Sequence, residues 1–344
     1  MRTVQRRDEE GFLSEWVAYY QMHGFDHITM FNDGSVDNSL VELQPWIDSG
    51  FVDVQTNWTT QSLNISSAFT RNEFKRAMTT KAVLEINCKL AAIKWGYSMF
   101  VSLDIDEYLI PKKNDVTIAD ELFQWFNSTN RGVYCINKLN FQQAPHTLEP
   151  VNLLTIEAYQ TRMATQSKMN YYTSVAAKCA YRLNGPEFRA NTSEYVAKCC
   201  HFHGCVGYDF LANDKTCATY HKSESWQLGG KGKPYYDWFD INHYSRSLEK
   251  FAIKGKTWRT STGEVKAGES MVDVAKSYDI PKFLARSNGW HYDNNALRFS
   301  CQLRNQLQIM TNETVYLRPG NSWYRNPEFG KPIDDPDKRG RYGS

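Results

Sequence analysis

Val101-Ser102-Leu103-Asp104-Ile105-Asp106-Glu107-Tyr108 is the stretch on which the reading of this chain turns. Met99–Leu103 is a short apolar run of the kind that forms a buried strand, and it ends in an acidic residue. In open α/β sheets the carboxyl ends of the strands are where ligands sit. Strand alternation puts Asp104 and Asp106 on one side, roughly 7 Å apart along the chain. One carboxylate then holds a divalent cation while the other reaches a ribose or a metal-bound water. Mg2+ or Mn2+ wants hard oxygen ligands, few of them from protein and the rest from phosphate and water. The bland alternative is a solvated acidic turn after a strand, and a bare Asp-x-Asp does not separate the two.

The same strand-then-turn pattern recurs upstream. His27–Phe31 is a short strand that runs into Asn32-Asp33-Gly34-Ser35-Val36-Asp37-Asn38-Ser39. Asp33 sits where it can accept a hydrogen bond from a base or ribose, and Gly34 permits a close backbone approach. Asp37 or Ser39 is suited to cap the helix that follows. Around these turns, Phe12–His23 has a helical period with a wide apolar face, and a first strand is expected almost at Met1. Ser39–Ile47 reads as a second helix stopped near Gly50, Phe51–Val54 as a strand, and Lys75–Trp95 as a long helix broken by Gly96. Strands alternating with helices over residues 1–110 predict a mostly parallel sheet with helices on both faces. Residues 111–240 are less regular and are expected to complete the sheet. Residues 245–344 read as a helix and then an extended tail rich in Gly, Pro and Asn.

Further downstream lies Ile241-Asn242-His243-Tyr244-Ser245-Arg246-Ser247-Leu248-Glu249-Lys250-Phe251. His243 can complete a metal site begun by Asp106, because imidazole suits transition ions. Arg246 and Lys254 can neutralise a leaving diphosphate. A segment returning over a bound ligand would order as it closes, as mobile lids do, with Gly229–Gly232 as the hinge. The plain alternative is a histidine with a structural role.

Composition narrows the class. The chain has 344 residues, 41% of them hydrophobic, with 40 basic against 38 acidic residues. That suits a folded enzyme and lacks the one-sided basic face of a nucleic-acid binder. No run approaches the roughly 18 apolar residues of a membrane span, and polar, basic Met1–Arg7 is no signal peptide. The chain is expected to be soluble as given, with any membrane attachment through an anchor outside it. Of eight cysteines (88, 135, 179, 199, 200, 205, 217 and 301), five fall between 179 and 217. Their even count and clustering favour disulfides over zinc, since the Cys199–Cys205 spacing fits no paired zinc motif. Sequons at Asn57, Asn64, Asn127, Asn191 and Asn312 point the same way, to a secretory lumen.

In this order the segments resemble glycosyltransferase family 92 and its family 2-like relatives. Glu9-Glu10-Gly11-Phe12-Leu13-Ser14-Glu15-Trp16 resembles the family's opening turn and helix, and His23-Gly24-Phe25-Asp26-His27 its Gly-hydrophobe-Asp-His step. Asn32 to Ser39 resembles its Asp-Asn-x-Ser-x-Asp loop. Cys88, Trp95 and Asp104-Ile105-Asp106-Glu107-Tyr108-Leu109-Ile110-Pro111 resemble its Cys…Trp…Asp-x-Asp-Glu-Phe-Leu-x-Pro segment, and His243 to Phe251 its His-Tyr-x-x-Lys-Ser-x-Glu-x-Phe segment. Arg246 stands where the family has Lys, and Lys81 and Asn87 where it more often has Gln and Asp.

The resemblance implies a GT-A fold, a Rossmann-like, mostly parallel sheet flanked by helices, with an irregular C-terminal extension. The catalytic domain would be residues 1–250, divided into a nucleotide-sugar half (1–110) and an acceptor half (111–250). Residues 251–344 would pack on it as a helix and tail. It implies an inverting, metal-dependent transfer of a sugar, galactose from UDP-galactose as the first choice, to a glycan or glycoprotein hydroxyl in the Golgi lumen. It also implies a type II membrane arrangement if the full protein is longer. The metal, Mn2+ or Mg2+, would be held by Asp104, Asp106 and His243. The donor would touch Glu9, Asp33, Asp37, Asp104, Lys178, Arg246 and Ser247. Asp209, Glu187 and His203 are the candidate bases in the acceptor half.

Two other classes compete. A haloacid-dehalogenase-like phosphohydrolase also places Asp-x-Asp after a buried strand, but it wants Thr or Val where Tyr108 stands, and Asp334-Asp335 lies in the tail rather than at a strand end. A catalytically inactive, glycan-binding transferase fold is the other, against which stand the intact Asp104, Asp106 and His243.

Overall fold

The computed structural model describes residues 2–6, 9–32, 35, 37–56, 88–89, 91–129, 133–136, 138–141, 150, 152–163, 178–184, 238–244 and 290–312. Strands β1 (Arg2–Arg6), β2 (Ile28–Asn32), β3 (Val52–Gln55) and β4 (Met99–Ser102) lie in the order β3-β2-β1-β4, all parallel. Helices α1 (Leu13–Met22) and α2 (Ser39–Asp48) make the crossovers, close to where the apolar periods predict them. Two antiparallel strands, β6 (Val133–Ile136) and β9 (Lys178–Arg182), extend the β4 edge.

A second sheet takes over where the first ends. It contains β5 (Glu107–Pro111), β7 (Lys138–Phe141), β8 (Thr161–Met163), β10 (Phe239–Tyr244) and β11 (Trp290–Tyr292), in the order β11-β8-β7-β10-β5. Only β7 and β10 are parallel in it. The expected α/β architecture is present, but its parallel part is β3-β2-β1-β4 together with the single pair β7–β10. Parallel neighbours need long crossovers, and the other strand pairs that include residues after 110 are antiparallel. Much of the expected helix over Lys75–Trp95 lies outside the described residues; residues 88–89 and 91–94 are helical.

Helix α1 is buried all round, from Leu13 to Tyr20. An amphipathic helix faces water on one side; this one has neighbours on every side. It packs against α2, against α5 (Ser300–Thr311), and against the chain between β4 and β5. Its Glu15, fully buried, accepts hydrogen bonds from the Thr155 amide (2.7 Å) and hydroxyl (3.1 Å) at the start of the short helix α4 (Thr155–Ala158), and from the Tyr108 hydroxyl (3.3 Å). Leu303 and Leu307 form the buried stripe of α5. Helix α3 (Ile118–Thr129) meets the end of α1 through the Ala119 amide, which donates to the His23 carbonyl at 3.1 Å.

His23 closes the seam between α1 and the C-terminal residues. Its ring lies edge-on to Tyr19 (4.6 Å between centroids) and Phe299 (4.7 Å). Burial, and then the Arg298 charge, lower its pKa from 6.5 to about 3. A histidine held neutral in the fold but not in the unfolded chain contributes stability above its unfolded pKa. That contribution is lost as pH falls from about 6.5 toward about 3, on the order of 5 kcal/mol over the whole window. His23→Phe should therefore flatten the fall in Tm between pH 7 and pH 4. Parallel Tm–pH curves for the two proteins would show that His23 is not held neutral.

Candidate active site

The acidic motif is a turn and not an extended strand. Strand β4 stops at Ser102, the Glu107 amide donates back to the Asp104 carbonyl at 2.9 Å, and Glu107 opens β5 in the other sheet. Alternation therefore does not govern Asp104 and Asp106. The chain must leave one sheet and enter the other within four residues, and it does so by turning. The turn is pinned by α1: Trp16 Nε1 donates to the carbonyls of Asp104 (3.1 Å) and Glu107 (3.0 Å), and the Tyr20 hydroxyl donates to Glu107 (3.0 Å).

Because the motif turns, its two aspartates face different sheets. Asp104 meets Lys178 at the start of β9, with Nζ 3.0 Å from Oδ2. Asp106 meets His243 of β10, with Nε2 3.8 Å from Oδ2, and its carbonyl accepts the Tyr244 amide at 2.8 Å. His243 does not sit on a lid. It lies inside β10, paired with β5 on one side and β7 on the other, because Phe239, Ile241 and Tyr244 anchor that strand in the core. The proposed hinge at 229–232 lies outside the described residues.

Across the second sheet, Asn140, His243 and Glu107 form one cross-strand row. His243 Nδ1 is 3.1 Å from Asn140 Oδ1. Glu107 is fully buried, and its charge is met by two lysines from outside the row. Its Oε2 accepts the Asp104 amide at 2.8 Å and lies 3.5 Å from Lys178 Nζ, while Oε1 lies 3.6 Å from Lys138 Nζ. The side chains of Glu107 and Lys178 are 0% and 3% exposed, whereas those of Asp104 and His243 are 27% and 24% exposed. Glu107 and Lys178 are thus the interior of the site, and Asp104 and His243 its face toward solvent.

A second polar cluster joins the ends of β1 and β2. The Glu9 amide donates to Ser39 Oγ (3.1 Å) and the Glu10 amide to Asp37 Oδ2 (2.8 Å). Asp37 Oδ1 also accepts from the Ser39 amide (3.0 Å) and hydroxyl. Glu42 accepts the amides of Gly11 and Ser14, each at 2.7 Å, at the start of α1. Burial raises the Glu42 pKa to about 7, against those N–H groups. Glu9 and Asp37 thus serve the loops that flank the site. The strand order reverses between β1 and β4, and such a switch point is where open α/β sheets hold ligands. The loop after β1 and the turn after β4 bracket it.

Of the residues singled out in the sequence, Glu9, Asp37, Asp104, Asp106, Lys178 and His243 are placed. Asp104, Asp106, Lys178 and His243 come together. Asp33, Glu187, His203, Asp209, Arg246, Ser247 and Lys254 lie outside the described residues. Glu107, Lys138 and Asn140 were not foreseen. Glu107 stands inside the motif itself, and Lys138-Leu139-Asn140-Phe141 alternates as a strand with two polar residues on one face.

Among the described residues no three His, Cys, Asp or Glu side chains group closely enough to hold a metal alone. Asp106 and His243 still fit a shared divalent ion. Two ligands each about 2.1 Å from one ion are at most about 4.2 Å apart, and the pair is 3.8 Å apart. Mg2+-type sites commonly take one or two protein ligands and complete their shell with phosphate and water.

Acidic residues at a sheet's switch point, backed by the buried Lys178, define a polar site at the carboxyl edge of an α/β sheet. The chain belongs to glycosyltransferase family 92, whose pattern it matches over residues 5–183, more than half its length. No curated protein matches it significantly. Solved structures similar to it include S. aureus TarS 1–349 in complex with UDP-GlcNAc (10% identity, 90% of this chain and 79% of that one, TM-score 0.35). Another is the same protein in complex with UDP (12%, 57% and 53%, TM-score 0.31), of which this chain spans about half. A third is Mycobacterium tuberculosis glucosyl-3-phosphoglycerate synthase in complex with phosphoglyceric acid (10%, 78% and 81%, TM-score 0.31).

The buried charges make a stability prediction. Removing one partner of a buried ion pair strands the other, at about 3–5 kcal/mol. Glu107→Ala should cost about that in denaturant unfolding. In Glu107→Ala/Lys178→Met the cost should be less than the sum of the single changes, by more than about 1 kcal/mol. Strict additivity would mean that Glu107 and Lys178 are not coupled.

Proposed function

We propose that this member of family 92 is an inverting glycosyltransferase that uses a divalent cation, Mn2+ before Mg2+, and a UDP-sugar donor, with UDP-galactose the first choice from the family. The observation that carries the reading is the approach of Asp106 and His243 to 3.8 Å from separate strands. They stand beside a buried lysine at the switch point of the sheet. On this reading Asp106 and His243 hold the ion, and Lys178 offers positive charge to the diphosphate. Lys178 is shared with Asp104 in the unliganded protein, so Asp104 serves the ribose or a metal-bound water more readily than the ion itself.

The bound cation would supply charge stabilisation at the leaving nucleoside diphosphate. The chain's own part is to orient the donor so that an acceptor hydroxyl attacks the anomeric carbon opposite the diphosphate. The carbon–oxygen bond to the diphosphate breaks as the new glycosidic bond forms, and a base takes the hydroxyl proton. Asp209, Glu187 and His203 are the candidates for that base, and the acceptor is a glycan or glycoprotein hydroxyl.

A Golgi location goes with the reading. No helix among the described residues is long and apolar enough to cross a membrane. Asn127 and Asn312 are exposed sequon residues. Cys179 is disulfide-bonded, and the residue opposite it in the β6–β9 ladder is Cys135. Non-reducing peptide mapping should recover Cys135 linked to Cys179, with Cys301 as a free thiol. Recovery of Cys135 and Cys179 as free thiols from secreted protein would remove this support.

The reading is tested by hydrolysis of nucleotide sugars without acceptor. Activity should vanish with excess chelator and return best with Mn2+. Asp106→Ala and His243→Ala should each lose Mn2+ binding and activity together. Full turnover in excess chelator would defeat the metal assignment.

A further inference from the structure

The row Asn140–His243–Glu107 gives His243 two cross-strand neighbours with different chemistry. Glu107 is committed elsewhere, to the Asp104 amide and to two lysines. Asn140 is the residue that meets the imidazole, with Oδ1 3.1 Å from Nδ1. An amide oxygen only accepts, so the ring nitrogen facing it must carry the proton. A neutral imidazole has one N–H, and its second nitrogen then presents a lone pair. That nitrogen, Nε2, is the one 3.8 Å from Asp106 Oδ2.

We propose that Asn140 is a positioning residue that holds His243 as the Nδ1–H tautomer, so that Nε2 and Asp106 face one another as a ready pair of cation ligands. The purpose rests on the metal reading above; the tautomer does not. A ligating histidine needs its other nitrogen fixed by a hydrogen bond, and loss of such a partner typically costs 10–100-fold in metal affinity. Three features suit Asn140 to this part. It sits on a paired strand, so its reach to His243 is set by the ladder. Its side chain is exposed, so the fold does not depend on burying it. As a neutral amide it fixes the proton without adding a charge that would favour imidazolium over imidazole.

The test uses Asn140→Leu, which keeps the shape and removes the acceptor, and Asn140→Asp, which keeps an acceptor. In metal-free protein with 15N-labelled histidine, wild type and Asn140→Asp should show a protonated Nδ1 for His243. Asn140→Leu should gain the Nε2–H form. Mn2+ affinity with UDP present, read by electron paramagnetic resonance, should fall 10–100-fold in Asn140→Leu and stay within a few-fold of wild type in Asn140→Asp, with Tm little changed in either. A bare Nδ1 in wild type, which would mean the Asn140 amide donates to it, overturns the proposal. So does the same tautomer in wild type and Asn140→Leu, or unchanged Mn2+ affinity in Asn140→Leu. If wild type shows Nδ1–H and Asn140→Leu loses it while neither binds Mn2+, the tautomer assignment stands and the metal reading of the site falls.

Discussion

The chain has to cross from one sheet to the other between Ser102 and Glu107, and the crossing is buried. Buried backbone groups must find partners. Asp104 and Glu107 find them in each other and in α1, through Trp16 Nε1 and the Tyr20 hydroxyl. That requirement explains an unusual helix. Its Trp and Tyr residues do not merely fill the core; their polar ends hold the turn that carries Asp104 and Asp106. It also explains why α1 is buried on every side. Its remaining faces are covered by α2 and by the C-terminal helix, so residues far apart in the sequence converge on one segment.

Electrostatics follow from the same crossing. Three carboxylates, Asp104, Asp106 and Glu107, are forced into one turn, which like charges oppose. Lys178 comes from the first sheet and Lys138 from the second, and both point at Glu107. Glu107 is thereby tied to the only two lysines that meet the turn among the described residues. Interior charge is nearly balanced, while Asp104 and His243 face solvent and the buried Asp106 lies 3.8 Å from His243. A buried pair of this kind adds little net stability over an apolar one. Its use here is to fix where the outer groups point.

Strands β2, β3 and β4 were legible because short apolar runs bounded by turn residues mark them, whereas β1, Arg2-Thr3-Val4-Gln5-Arg6, has no such run; α1 and α2 were legible from the helical spacing of their apolar residues. The second sheet was not. Its strands are three to six residues long, and its neighbours are far apart in sequence: β10 lies between β5 and β7, and no local pattern announces that order. Asp104, Asp106, Lys178 and His243 were legible as residue types in an ordered set. The approach of His243 to Asp106 was legible too, but the separation of Asp104 from Asp106 was not, because the extended reading of the motif put both on one side. A glutamate beginning β5 ends the alternation, and that is a tertiary fact. Asn140 carried no signal at all beyond one polar residue in a strand.

His243 within a paired strand changes the physical picture of the site. A lid would bring its ligand at the cost of ordering a segment each time. A strand held on both sides has met that cost during folding, so His243, Asp106 and Asn140 keep their relative positions before any ligand arrives. Preorganised groups need little rearrangement as charge develops on a leaving diphosphate, which is where electrostatic catalysis gains most. It follows that closure over a donor, if the reaction needs it to exclude water, must come from other residues than this pair. On the proposed function, Asp106 and His243 would then set the position of the diphosphate, and the surrounding chain would decide which sugar and which acceptor meet there.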